Sequence, residues 1–218
     1  MNYMNYKKAV IFDMDGVLVD SESHQQKVIK DFFNNKTNYD VNKLKLNKFI
    51  GSSGEIEVWK LVFEEYDISD DEFKRISEDL YKYMDKHRPE YKEILNDNAR
   101  EIIKWLKEHC FKLGIASSSY EEEINRMLTE TGLTNYFDYV LSGKSFKQSK
   151  PCPDIYNAMV DMLGVEKEKC LVIEDSYYGI QAAINANIDV AVLKDNKLGV
   201  NQSNGRIFIN NLIEIKDL

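Results

Sequence analysis

The chain has 218 residues, 43% hydrophobic and 30% charged, with a net charge of −8, a balance that supports a folded core and excludes an extended disordered chain. Residues 21–90 carry 12 Lys+Arg against 15 Asp+Glu and the remainder 17 against 22, so neither part has the basic footprint of a nucleic-acid binder. No apolar run approaches the roughly 18–20 residues of a membrane span and no secretory pattern opens the chain. Cys110, Cys152 and Cys170 form no C-x-x-C pair, which argues against a disulfide framework or zinc site and for a reducing cytoplasm.

Ala9–Phe12 (AVIF) is wholly apolar and is expected to be a buried strand. Asp13-Met14-Asp15-Gly16 follows at once, placing two carboxylates at a strand end before a turn glycine. Alone, that pattern reads equally well as a polar strand end. From 21 to 90 the texture changes to long helical periodicity, with helices expected at Ser21–Asn34, about Asn42–Ile50, Glu55–Tyr66 and Asp70–Lys86. In the last of these, Phe73, Ile76, Leu80, Tyr83 and Met84 make one apolar face, and Ser69 with Glu72 has the spacing of a capping box. These aromatic stripes, and Trp59 and Trp105, read as helix packing. Pro89 is costly inside a helix and marks an exit, and His87 and Arg88 before it read as a solvated helix C-terminus.

From about 93 onward, β-branched runs alternate with amphipathic stretches. The runs are Phe111–Ala116, Tyr139–Ser142, Cys170–Glu174, Val190–Leu193 and Arg206–Ile209, with helices expected near 98–109, 120–131, 153–163, 177–186 and 211–216. Alternation of this kind builds βαβ units. The expected fold is therefore α/β: a Rossmann-like three-layer core with a mostly parallel sheet, residues 1–20 and 91–218, and a small all-helical cap, residues 21–90, inserted after the first strand. Open parallel sheets bind ligands beyond the carboxyl ends of their strands, so a module inserted there sits as a lid. His109 reads as surface, and Asn2–Lys8 carries no derivable function.

Glu174-Asp175 ends another expected strand. Asp175 or Ser176 could simply cap the next helix. Together with Asp13 and Asp15, however, four carboxylates gather at one sheet edge, and like charges at that density need a cation. Oxygen ligands completed by water suit Mg²⁺. Ser117, Ser118 and Ser119 at a strand-to-helix turn can cradle a phosphate or cap the helix. Lys150 gains meaning only if it joins the acidic cluster.

DMDGVLVDSE (13–22), IASSS (115–119), SKPCPDIY (149–156) and IEDSYYGIQAA (173–183) resemble, in order and spacing, the four motifs of the haloacid dehalogenase superfamily. The inserted segment resembles the helical cap of its β-phosphoglucomutase and phosphoglycolate phosphatase subgroup. True dehalogenases of the superfamily lack the second aspartate of the first motif, so Asp15 points to phosphoryl transfer. The resemblance implies Asp13 as nucleophile, Asp15 as general acid and base, and Mg²⁺ at Asp13, Asp15 (through its carbonyl) and Asp175 with Glu174 beside them. It also implies Ser117, Ser118 and Lys150 as the holders of the phosphoryl group.

The implied activity is a phosphatase acting on a small phosphate ester, a sugar phosphate first among them, in the cytoplasm and as a monomer, with no nucleic-acid or membrane partner. The alternatives are a β-phosphoglucomutase-like mutase and an inactive binding protein of the same fold. In the mutase pattern a cap histidine falls where this chain has Gln25, with His24 one residue short. The cap loop Gly51-Ser52-Ser53-Gly54 lacks the arginine that the mutases place there. Gln25, His24, Ser52 and Ser53 are the candidate cap contacts.

Overall fold

In a computed structural model that describes residues 3–46 and 60–218, six strands form one sheet: β1 (Ala9–Phe12), β2 (Lys112–Ser117), β3 (Tyr139–Ser142), β4 (Cys170–Glu174), β5 (Asp189–Leu193) and β6 (Ile207–Ile209). Their order is β3-β2-β1-β4-β5-β6 and every neighbouring pair is parallel, so the sheet is wholly rather than mostly parallel. A parallel sheet is covered on both faces, which is why β1 and β4 are buried at every residue and apolar at all but Glu174, the last residue of β4.

The pleat sends Val10 and Phe12 of β1 to one side and Ala9 and Ile11 to the other. The first side packs on α3 (Ala99–Glu108) and α4 (Glu121–Thr131). The second packs on α5 (Asp154–Leu163) and α6 (Tyr177–Asn185). Three layers result. The last expected helix is instead a 3₁₀ segment, Leu212–Asp217. From β1 the chain steps outward to β2 and β3, then crosses back to β4 and steps the other way. The junction of β1 and β4 is thus the switch point where such sheets bind ligands.

α1 (Ser21–Lys36) and α2 (Asp70–Lys86) follow β1 in the chain. Ile29, Phe32 and Phe33 of α1 meet Phe73, Ile76 and Leu80 of α2 around Phe63, with Phe33 and Phe63 edge-on at 5.6 Å between ring centroids. This hydrophobic cluster shares no residue with the two that flank the sheet. Ser69 caps α2 by accepting from the Glu72 N–H (3.3 Å), while the Glu72 carboxylate accepts from Tyr39 Oη (2.9 Å).

Two expected helices differ. The chain forms only a 3₁₀ turn at Val41–Lys43 and is extended at Leu44. The Asp40 side chain caps that turn by accepting from the Asn42 N–H (3.0 Å), but the Lys45 N–H goes to Val62 O (3.0 Å) instead of to Val41 O, which ends it. The chain is helical at 60–62 and then turns. The Tyr66 N–H closes onto Phe63 O (2.8 Å) and Tyr66 Oη reaches Asp40 O (2.9 Å), so Tyr66 serves as a packing strut rather than as a helical residue. Residues 47–59, with Ser52, Ser53 and Trp59, lie outside the described residues.

The two connectors between these helices and the sheet lie side by side. Asp20 N–H donates to Ile94 O (2.7 Å) and Asn96 N–H to Leu18 O (2.9 Å), while Asn96 Nδ2 donates to Val17 O (2.7 Å). Phe33 is fully buried among aromatic neighbours, so Phe33→Ala is expected to lower stability by about 3–5 kcal/mol, read by chemical denaturation.

Candidate active site

Phe12 is in register with Ile115 on one side and Ile173 on the other. The next residue, Asp13, therefore emerges between the ends of β2 and β4, with its N–H on Ile173 O (3.0 Å). Lys150, on the segment before α5, reaches into the same place with a side chain only 4% exposed. Its ammonium donates to Asp13 Oδ1 (2.7 Å), Glu174 Oε1 (2.7 Å) and Ala116 O (2.9 Å). All three ammonium protons are used, the condition under which a buried lysine stays charged. Burial alone pulls its pKa down, but Asp13 and Glu174 outweigh that and hold it well above the usual lysine value.

Glu174 is completely buried. Its Oε1 also accepts from Tyr156 Oη (2.8 Å), and its Oε2 accepts from the N–H groups of Asp175 (3.1 Å) and Ser176 (3.3 Å) and from Ser176 Oγ (3.1 Å). Ser176 also caps α6 by accepting from the Gly179 N–H (3.1 Å). Two glycines make room for the acids. A Cβ on Gly179 would lie 1.8 Å from Glu174 Oε1, and one on Gly16 would lie 1.9 Å from Asp175 Oδ2. Gly16 also has φ +80°, which favours glycine.

Asp13, Glu174 and Asp175 each bring a carboxylate oxygen within 4.8 Å of the others. Three carboxylates against one ammonium leave a formal charge of −2, and hard oxygen donors of that charge fit a divalent ion such as Mg²⁺. Asp13 and Asp175 are the free-handed members, since both oxygens of Glu174 are already engaged. Burial, then the neighbouring carboxylates, push the Asp175 carboxyl well above its ordinary range; Asp13 is raised by burial and by Glu174 and Asp15, with Lys150 opposing.

Asp15 points elsewhere. Its Oδ1 accepts from Ser21 Oγ (2.6 Å), and its Oδ2 from Ser119 Oγ (2.7 Å) and Ser117 Oγ (3.4 Å). Ser117 is fully buried and accepts from the Ser119 N–H (3.0 Å); Ser118 and Ser119 line the open cleft. That cleft, of about 420 Å³, lies between the sheet edge and α1 and α2, with Asp13, Asp15 and Lys150 on its floor. His24 and Gln25 of α1 line it too; His24 Nε2 is hydrogen-bonded to His87 O (2.8 Å).

Arg88 is exposed, as expected of a solvated terminus, and there it pairs with Asp85 and, at 2.6 Å, with Glu123 of α4. Arg126 and Tyr91 also bond Glu123 (3.0 and 2.9 Å). Tyr156 and Gly179 were not singled out by sequence reasoning. Gly179 was detectable, because a glycine in the first turn of a helix costs stability unless packing requires it. Tyr156 carries no such signal, since an aromatic in a helix usually means core.

The geometry agrees with comparison to known proteins. Residues 10–193 match the haloacid dehalogenase-like hydrolase family. A phosphorylated carbohydrates phosphatase of Thermotoga maritima is 31% identical over 189 residues, 84% of this chain and 82% of that protein. The chain therefore belongs to the haloacid dehalogenase-like hydrolases, in the subgroup of β-phosphoglucomutase and phosphoglycolate phosphatase. Among solved structures, a β-phosphoglucomutase of Clostridium difficile superposes with a TM-score of 0.70 at 22% identity, covering 94% of this chain and 91% of that one. A haloacid dehalogenase-like protein of Agrobacterium tumefaciens gives 0.75 at 22%, covering 96% of both. At that identity these two share the fold. No helix among the described residues is long and apolar enough to cross a membrane.

Two outcomes are expected. Raised carboxyl pKa values mean that the metal-free fold gains stability from protons on Asp13 and Asp175 and loses it as pH rises through those values, while Mg²⁺ needs the ionised forms. The rise in melting temperature on adding Mg²⁺ should therefore be larger at pH 8 than at pH 5, and a constant rise would contradict the cluster. Gly179→Ala should displace Glu174 and weaken Mg²⁺ binding by roughly tenfold or more, measured by calorimetry.

Proposed function

We propose that the protein is a magnesium-dependent phosphatase that hydrolyses a small phosphorylated metabolite, a sugar phosphate, through an aspartyl-phosphate on Asp13. The observation that carries this reading is the division between two neighbouring carboxylates. Asp13 lies with Lys150 and the metal-type acids, and Asp15 lies apart among hydroxyls. Two carboxylates in contrasting environments can take different roles in one reaction.

An Asp13 oxygen bonds to phosphorus as the bond to the departing alcohol breaks. Asp15 gives that alcohol its proton and then takes one from water, which attacks phosphorus, breaks the acyl phosphate and releases inorganic phosphate. Lys150 offsets the negative charge of the dianion beside Asp13, and Ser118 and Ser119 line its path. A magnesium ion held by Asp13 and Asp175, with Glu174 orienting them, would supply further positive charge for the phosphoryl oxygens.

Residues 21–90 act in this reading as the cap over the core of 1–20 and 91–218. Val28, Tyr81 and Met84 on α1 and α2 line the cleft, an apolar wall suited to the carbon face of a sugar. The Thermotoga maritima relative, named for phosphorylated carbohydrates, supports that substrate class.

A mutase would share the first half-reaction but must hold a second phosphate on the cap side. Arg88, the one arginine or lysine of residues 21–90 lining the cleft among the described residues, is paired with Asp85 and Glu123. That pairing favours water as the acceptor.

Asp13→Asn is expected to lower phosphate release from a panel of sugar phosphates by at least about 10³-fold with an unchanged circular dichroism spectrum, and chelation of Mg²⁺ should do the same to the native protein. Substantial turnover by Asp13→Asn would refute the assignment. β-Glucose 1-phosphate with a trace of the 1,6-bisphosphate should yield inorganic phosphate rather than glucose 6-phosphate.

A further inference from the structure

The loop that follows β5 runs past the rear of the acidic cluster, and its fold is set by two side chains. The Asp195 carboxylate accepts from the N–H groups of Lys197 (2.8 Å), Leu198 (2.8 Å) and Val200 (2.7 Å), which winds the loop tightly. Gln202 then turns back inward. Its Nε2 donates to Asp175 O (2.6 Å) and Leu193 O (2.8 Å), and its Oε1 accepts from the Asp195 N–H (3.1 Å). All the hydrogen-bonding directions of the amide NH₂ are used on main-chain carbonyls, one of which belongs to Asp175.

The Asp175 peptide groups are thus held from both sides. Its N–H is fixed by Glu174 Oε2 (3.1 Å) and its carbonyl by Gln202, while its side chain lies against the bare α-carbon of Gly16. With the backbone fixed on both flanks, few directions remain for the carboxylate. We infer that Gln202 is a positioning residue: by clamping the Asp175 carbonyl to the end of β5, it aims the Asp175 carboxylate at the divalent-ion position shared with Asp13. It touches neither substrate nor metal. The inference rests on the metal assignment made above. Outer partners that orient a metal ligand commonly contribute 10–100-fold to metal affinity.

Gln202→Met keeps the length and packing of the side chain but has no donor. Titration of the full-length protein with MgCl₂ by calorimetry should show affinity reduced about tenfold or more relative to native. In a turnover assay with a sugar phosphate, the apparent Mg²⁺ constant should rise by a similar factor while kcat recovers at high Mg²⁺. A general loosening of the fold would also lower the melting temperature measured without Mg²⁺, which Gln202→Met should leave within a few degrees of native, because a bound ion stabilises any folded variant by mass action.

Lys197→Met is the comparison. It removes the 2.6 Å pair between the same loop and Asp20 but leaves Gln202 in place, and its Mg²⁺ affinity should stay within about twofold of native. If Gln202→Met binds Mg²⁺ as tightly as native, the inference is overturned. It is equally overturned if both variants lose affinity to the same extent, because the order of the loop, and not the clamp, would then set the affinity. Should Gln202→Met not fold, Gln202→Glu, which retains the acceptor for Asp195 N–H and loses both donors, is read by the same criteria. A native protein that binds no Mg²⁺ refutes the metal assignment itself, an outcome separable from a native protein that binds and a Gln202 variant that binds equally.

Discussion

One buried ammonium governs the arrangement of this site. Lys150 is almost fully enclosed and spends its three protons on Asp13, Glu174 and a main-chain carbonyl. Removing charge from water is costly unless each ion finds partners, so neither the lysine nor the acids could occupy this edge without the other. The pairing is incomplete by design: three carboxylates face one cation. The residual negative charge gives the cluster its appetite for a divalent ion, and burial, with the neighbouring carboxylates added to it, lifts the carboxyls of Asp13 and Asp175.

The sheet makes that meeting possible. β1 lies between β2 and β4, so residues far apart in sequence end at one rim with a common register. Strand ends supply Asp13, Ser117 and Glu174, and the segments just beyond supply Asp15, Ser119 and Asp175. The helices that follow β1 leave and return through connectors hydrogen-bonded to each other, which puts their cleft-facing side chains over the same rim.

Much of this was legible in the residues because local and global preferences coincide. Short apolar runs such as AVIF and CLVI suit interior strands, and Ser signals marked the helix starts that Ser69 and Ser176 in fact cap. Asp13, Lys150, Glu174 and Asp175 were each ambiguous alone and acquired meaning from their shared context. What stayed hidden depends on contacts that no local pattern encodes. Tyr156 looks like any core aromatic until its hydroxyl is seen on Glu174. The turn at Val41–Lys43 goes no further because the Lys45 N–H is taken by Val62 O, 17 positions away. Arg88 is solvated as it reads, but its partner Glu123, 35 positions away, is supplied only by the fold.

Gly16 and Gly179 bear on any attempt to move this chemistry elsewhere. At both places the space an ordinary residue would fill is taken by a carboxylate oxygen. A protein engineer who grafts only the acids and the lysine onto another parallel scaffold would copy every charge and still fail, because the host's own β-carbons would stand where those oxygens belong. The portable unit is a set of functional groups together with two deliberate vacancies in the backbone's cladding.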